Sequence, residues 1–363
     1  MTSHIWPIDA RLRHWHPVAR VSRLTTKPLA IQCCGVPIVL FANRGPGVVA
    51  LYDRCAHRRM PLSYGVVGPE GITCPYHGCR FAPDGTGYCP TTRSNRFRVP
   101  VFETKLLCGA VWLRSLDAVD AAGADRTSGT AISTDLVDDD HFFTCVIEKQ
   151  ILAPVQLVID NMTELEHTGM VHRQLAFGTD DFDTVDTRCE GDDEGVSIFY
   201  RGRQRPLPLY LSMLSGLRRG DVYVQTARIS FAPPCASYRI WWTTGDRGNI
   251  RPFGLRFVNY YTETGPDHTS LFSFVYWKTE GTLLGAIPAL TAPVFRRIVS
   301  LELERDKRII EKVPRAEATL DWFQLNRFDR PLVATRRLMQ RHYVPATETI
   351  TRVELSKGSS RCS

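Results

Sequence analysis

The chain has 363 residues, 43% apolar and 23% charged, with a formal net charge of +7. That is enough for two ordinary domains with buried cores, and the composition excludes an intrinsically disordered chain. The positive charge is spread along the sequence and is not gathered into the basic patch that nucleic-acid binding requires.

No run of about 18 apolar residues marks a membrane span. The opening MTSHIWPIDARLRHWHP lacks the apolar stretch of a secretory signal. Eleven cysteines, an odd number at irregular spacing, fit a cytoplasmic protein with metal-bound thiolates better than a secreted disulfide framework.

In chain order, residues 1–116 read as a small all-β domain. IQCCGVPIVLFAN and GVVALYD are strand-like, with the turn NRGPG between them, and FRVPVFETK and GAVWLR follow. Residues 117–140, rich in Asp, Ala, Ser, Thr and Gly, read as a linker or exposed loop. Residues 141–350 mix types. A helix is expected from about Pro154 to Thr168 and another from about Ala292 to Val313. Between them lie GVSIFYRG, DVYVQTARISFAP, SYRIWWTTG, LRFVNYYTE and TSLFSFVYWKT, which read as strands of an antiparallel sheet packed on helices. The class is α+β, with residues 351–363 expected to be a disordered tail.

Two constellations carry chemistry. The first is Cys55-x-His57 and, after sixteen intervening residues, Cys74-x-x-His77. Two Cys and two His can hold tetrahedral zinc or a Rieske [2Fe–2S] cluster, in which one iron takes two Cys and the other two His. Zinc fingers usually pair like with like along the chain. Here each loop contributes one thiolate and one imidazole, as the cluster demands. Gly65 and Gly78 would let backbone approach closely, and Pro61 and Pro75 would stiffen the loops.

The second constellation is DNMTELEHTGMVH, residues 160–172. On one continuous helix, Asp160, Asn161, Glu164, His167 and Thr168 would share a face opposite Val155, Val158, Ile159 and Met162. Such a stripe also fits a solvated face. Gly169 would let the chain swing His172 back beside His167. Two His with one carboxylate form the facial triad that leaves positions open on Fe(II). Asp306 is the candidate carboxylate. It falls at the centre of an apolar helical face made by Phe295, Val299, Leu303, Ile310 and Val313, where an acid is costly unless it is paired or metal-bound. A salt-bridged acid is the alternative, and Glu302 is the reserve ligand.

CAHRRMPLSYG, CPYHG and the entry segment WHPVARVSRL resemble the Rieske domain of bacterial aromatic-ring and demethylating oxygenases. The later pattern resembles that family's N-x-x-[DE]-x-x-H-x-x-x-x-H with a distant Asp in a charged helix. The resemblance implies a Rieske [2Fe–2S] domain followed by a helix-grip catalytic domain. Cys55, His57, Cys74 and His77 would hold the cluster, and His167, His172 and Asp306 the mononuclear Fe(II), with Asn161 beside it. Glu164 would be the bridging acid, linking an iron-ligand His to a cluster-ligand His of the neighbouring subunit in a head-to-tail homotrimer.

The same resemblance implies O₂-dependent hydroxylation or oxidative demethylation of a small cyclic or aromatic molecule, in a catabolic or secondary-metabolite pathway. The runner-up readings are ring dihydroxylation and a non-catalytic electron carrier. No G-x-G-x-x-G and no C-x₄-C-x₂-C run is present, so electrons are expected from a separate NAD(P)H-dependent reductase, a ferredoxin, or both. Arg54, Arg58, Arg59 and Arg80 could form their docking surface. Cys79 departs from the family's aromatic residue and reads as a spare thiol packed as a small hydrophobe. Trp241, Trp242, Phe274 and Trp277 are candidates for the pocket wall or for the core.

Overall fold

The computed structural model describes residue 6 and residues 8–42, 47–115, 136, 143–172, 176–246, 248–279, 288–315, 320–343 and 350–351. Apart from single positions, the expected linker and tail lie outside them. Two compact units appear among the described residues. One holds residues up to 106 with 111–115 and 350–351, and the other 107–110 with 136–343.

In the first unit, β-branched and apolar runs form the strands, as the sequence suggests. β1 (Ile8–Asp9) pairs with the short strand Ile350–Thr351. β2 (His16–Arg20), β3 (Leu29–Cys33), β4 (Val36–Ala42), β5 (Val48–Tyr52), β11 (Val101–Leu107) and β12 (Ala110–Ser115) make a six-stranded sheet in the order β2-β12-β11-β5-β4-β3. β5 is buried along its whole length, so it reads as a continuous apolar run and not an alternating one. A five-stranded sheet contains β6 (Val66–Gly68), β7 (Gly71–Thr73), β8 (Arg80–Phe81), β9 (Thr86–Cys89) and β10 (Ser94–Arg98). The two loops bearing the cysteine–histidine pairs precede β6 and β8.

The second unit is built on a seven-stranded antiparallel sheet. Its strands are β13 (Phe143–Ile151), β14 (Asp186–Gly191), β15 (Gly195–Arg203), β16 (Val222–Phe231), β17 (Pro234–Thr243), β18 (Ile250–Gly265) and β19 (His268–Thr279), in the order β13-β19-β18-β17-β16-β15-β14. Alternation sorts side chains to the two faces. Gln225, Ile240 and Leu255 are successive Cα partners across β16, β17 and β18, and Tyr238 stands opposite Phe257 in the next row.

Helices cover this unit: α1 (Val155–Thr163), α2 (His167–Met170), α3 (Leu209–Ser215), α4 (Pro288–Ile310) and α5 (Arg330–His342). α5 packs on α1, where Arg336 forms a bidentate pair with Asp160, its Nε 3.1 Å from each carboxylate oxygen, with both side chains buried. None of the described helices is long and apolar enough to cross a membrane.

The single helix expected over Pro154–Thr168 is corrected to two short ones. Thr163 turns its hydroxyl onto the Asp160 carbonyl at 2.9 Å, and Glu164 leaves the helix with φ −86 and ψ 147. A hydroxyl that offers the backbone an alternative partner weakens a helix end. The polar residues of 160–172 therefore share no common helical face. Asp160 is in the core, held by Arg336. The second helix begins before Ala292 and ends at Ile310, so Val313 lies beyond it and is exposed.

Candidate metal centres and the cavity

The two Cys–His loops of the first unit have the same backbone design. Cys55 N donates to Met60 O and Cys74 N to Cys79 O, both at 2.8 Å, while Arg59 N and Gly78 N return to the carbonyls of Cys55 and Cys74 at 2.8 and 3.1 Å. The fifth residue of each loop is left-handed, Arg59 at φ 60 and Gly78 at φ 70. Glycine meets this need without strain. Arg59 meets it with its guanidinium stacked 4.0 Å over Trp6. Gly65 serves a different close approach from the one expected, because a Cβ there would lie 2.2 Å from the Thr73 carbonyl oxygen.

These twin loops set Cys55 beside Cys74 and His57 beside His77, and His57 also forms a close group with Cys79 and Cys89. Cys55 and Cys74 are buried, at 1% and 2% exposure. Burial, with Cys74 close by, pushes the Cys55 thiol up to about 11. The imidazoles of His57 and His77 lie toward the surface with ring centroids 4.7 Å apart. Two buried sulfurs under two half-exposed imidazoles fit a Rieske cluster, with sulfur-bound iron inside and nitrogen-bound iron outside. Arg54 donates to the Asp53 carbonyl at 2.7 Å, and Arg80 lies 4.0 Å from Glu70. Cys79 is not the spare thiol expected. It forms a disulfide with Cys89, whose sulfur is 3.9 Å from His57 Nδ1. Both cysteines are fully buried.

In the second unit, the break after α1 aims His167 and His172 at one point. Asp306 Oδ1 lies 3.0 Å from His172 Nε2 and 3.6 Å from His167 Nε2, and the ligand-type atoms of all three residues lie within 4.8 Å of one another. Asp306 is 3% exposed on the apolar face of α4, beside Val299, Leu303 and Ile310, and its Oδ1 has the two imidazoles as polar neighbours.

Each imidazole is held from behind. His167 Nδ1 is 2.7 Å from Glu164 Oε1, and His172 Nδ1 is 2.9 Å from Glu302 Oε2. Glu164 also caps the following turn by accepting from His167 N at 3.1 Å. Burial lowers the basicity of His172, but hydrogen bonds to Asp306 and Glu302 outweigh it and raise its pKa to about 9. Two Nε2 atoms facing a buried carboxylate oxygen, with both Nδ1 atoms tied to carboxylates, have the chemistry of a two-histidine, one-carboxylate metal site.

Glu302, expected as a reserve ligand, holds a histidine. Sequence reasoning misses this role, although its place one turn before Asp306 on α4 signals it. Asn161, expected beside the metal, is not among the residues lining the adjoining cavity, and its buried Oδ1 is unpartnered.

That cavity, about 190 Å³, opens onto the three residues. Its far wall is the helix-facing side of the sheet, with Gln225, Tyr238, Ile240, Leu255, Phe257 and Asn259. α4 adds Phe295, Ile298 and Val299. None of Trp241, Trp242, Phe274 and Trp277, offered by the sequence as wall or, more readily, as core, lines the cavity. Alternation puts Trp241 and Phe274 on the opposite face of the sheet. Trp242 and Trp277 are buried in the core, Trp277 against Phe295 at 4.6 Å between ring centroids. Sequence reasoning also misses Tyr238 and Asn259, although a lone Asn at a core-facing position of LRFVNYYTE is a legible signal.

The first unit defines a cluster-type domain and the second a metal site at the mouth of an apolar cavity. Residues 14–103 match the Rieske [2Fe–2S] domain, and residues 151–343 match the vanillate O-demethylase oxygenase C-terminal domain. The chain belongs to the Rieske oxygenase alpha subunits, the family that joins these two domains. It is 30% identical over 181 residues to methylxanthine N1-demethylase NdmA of Pseudomonas putida, covering 46% of this chain and 49% of that protein. It is 30% identical over 212 residues to the oxygenase component of dicamba O-demethylase of Stenotrophomonas maltophilia, covering 56% and 59%. The matched stretch thus spans about half the length of these curated relatives. The fold resembles the crystal structure of dicamba monooxygenase bound to 3,6-dichlorosalicylic acid, with a TM-score of 0.75 at 20% identity over 92% of this chain and 98% of that one.

Proposed function

We propose that the protein is an oxygenase that hydroxylates or oxidatively demethylates a small cyclic or aromatic molecule. The observation that carries this reading is the convergence of His167, His172 and Asp306 at the mouth of an apolar cavity. A bare electron carrier has no use for such a site.

When bound, the [2Fe–2S] cluster on Cys55, His57, Cys74 and His77 supplies electrons one at a time, and a mononuclear iron on His167, His172 and Asp306 supplies the reduction of O₂. Monooxygenation consumes O₂, two electrons and two protons, inserts one oxygen atom into a C–H bond and releases the other as water. Loss of a hydroxylated methyl group as formaldehyde completes a demethylation.

The chain's own residues orient and exclude. Glu164 and Glu302 fix the ring planes of His167 and His172 so that both Nε2 atoms face inward. The apolar wall keeps water from the reacting carbon. Glu164 also serves as the acid between this centre and a partner subunit's cluster in a homotrimer. Electrons arrive from a separate NAD(P)H-dependent reductase, a ferredoxin, or both, in the cytoplasm.

The test is oxygen uptake by the iron-loaded chain with a surrogate reductase. Replacing His167 by Ala should abolish uptake and leave the visible spectrum of the cluster intact. Uptake at the parent rate in that variant sinks the reading.

A further inference from the structure

A further group of soft donors lies in the first unit, apart from the residues proposed to hold the cluster. His16 begins β2, Cys33 ends β3, and Cys34 opens the two-residue turn Cys34-Gly35 that leads to β4. β2 and β3 are the two edges of the six-stranded sheet, and they pack against each other although no ladder joins them among the described residues. Both sulfurs and a ring nitrogen of His16 lie within 4.8 Å of one another. Bonds of about 2.0–2.3 Å to one ion span donors at that spacing with little movement.

Two features of the group are costly without a ligand. His16 is 1% exposed, and its Nε2 lies 3.0 Å from the Arg11 carbonyl oxygen. A carbonyl only accepts, so Nε2 carries the ring proton. Burial lowers the pKa of the ring to about 4, which keeps it neutral with a lone pair on Nδ1. That Nδ1 is buried and no hydrogen bond reaches it, not even from the neighbouring thiols. A buried acceptor left bare is costly. The second feature is Cys34 itself. The turn places Cys34 at φ 50 and Gly35 at φ 73, a pairing that favours Asn or Gly in the first place. Cysteine bears strain there, and it is only 1% exposed although it sits at a turn.

Thiolates with an imidazole select soft ions. Among the described residues no fourth His, Cys, Asp or Glu joins the group, and all three members are buried. Structural zinc takes four ligands, whereas Cu+, a soft d10 ion, accepts three.

The geometry points to a Cu+ site on His16 Nδ1 and the sulfurs of Cys33 and Cys34, which clips the edge strand β2 to β3 and stands apart from the two iron centres proposed above. Each thiol releases its proton to solvent as the ion binds, and no electron moves.

The full chain, carrying its cluster and iron, is titrated anaerobically with Cu+ against the chelator bicinchoninate, with ascorbate as mild reductant. One Cu+ per chain should be held, with the visible absorption of the cluster unchanged and a copper X-ray absorption spectrum of two sulfurs and one nitrogen. Hydrogen exchange of the β2 and β3 amides should slow on loading. Cys34→Gly suits the positive φ and keeps the turn, yet should weaken Cu+ binding by at least about 100-fold, as should His16→Leu. Cys145→Ala, which removes a free thiol of β13 in the second unit, should bind as the parent does. If the site variants do not fold, the stoichiometry, spectrum and exchange of the parent decide. No Cu+ held by the parent, equal affinity in the site variants, a four-coordinate spectrum, unchanged exchange on β2 and β3, or cluster bleaching in step with copper uptake overturns the inference.

Discussion

Glu302 Oε2 lies 2.9 Å from His172 Nδ1, one turn of α4 before the Asp306 carboxylate that faces the same ring's Nε2. A single helix thus grips one imidazole from both ends. The ring cannot rotate without breaking one of the two contacts, and Nε2 is aimed at the site before any metal arrives.

Glu302→Gln should therefore weaken iron binding by about 10–100-fold, the usual cost of losing a carboxylate behind a histidine ligand. Chelator competition monitored by iron content per chain measures it, and the cluster's absorption should not change. An affinity equal to the parent's would mean that Glu302 is only a surface partner of Arg305, which it also meets at 2.7 Å.

Metal uptake should depend on pH with a definite sign. In the metal-free chain His172 holds its proton up to a pKa of about 9, and iron must displace it. Affinity then rises with pH by up to about tenfold per unit until that value, with a proton released on binding. Calorimetry in two buffers of different ionisation heat counts the proton. The same raised pKa stabilises the metal-free fold fully below about pH 6.5, and that contribution is lost as pH climbs through 9. Urea unfolding of metal-free protein across that window should show the decline.

The buried Asp160–Arg336 pair ties α1 to α5 behind the metal site. Arg336→Met leaves an uncompensated buried carboxylate and should cost about 3–5 kcal/mol in chemical unfolding. Adding Asp160→Leu to that variant should recover most of the loss, since a matched apolar pair avoids the desolvation penalty. If the double variant is no more stable than the single one, the pair is not an isolated electrostatic unit.

Cys79 and Cys89 are disulfide-bonded, so denatured, unreduced protein should titrate two fewer thiols than the reduced chain. The double variant Cys79→Ser with Cys89→Ser should still assemble the cluster if Cys55, His57, Cys74 and His77 hold it, as proposed. Loss of the cluster's visible absorption in that variant would show that one of these sulfurs serves the cluster directly.

The candidate ligand positions stand out in the sequence because chemistry constrains such residues tightly. A thiolate and an imidazole in each of two spaced loops, and an acid at the centre of an apolar helical face, are costly arrangements that a chain with no metal to bind rarely assembles. The helix break at Glu164 is not legible. It turns on the Thr163 hydroxyl taking the Asp160 carbonyl, a local competition that a periodic pattern hides. The left-handed Arg59 is hidden likewise, because the Trp6 ring that stacks on it is distant in sequence. The residues of the cavity wall are not legible either. Large aromatic residues in a sheet announce burial, and only the strand register decides which of them meet the cavity.

The division of labour between helices and sheet has an evolutionary consequence. The groups that would hold iron sit on α2, the turn after it and α4, whereas the far wall is a set of alternating positions on β16, β17 and β18. Side chains of the wall such as Gln225, Ile240 and Leu255 thus lie on elements separate from those that carry the histidines and Asp306. A lineage built this way can drift from one small molecule to another while its oxidising chemistry is inherited unchanged.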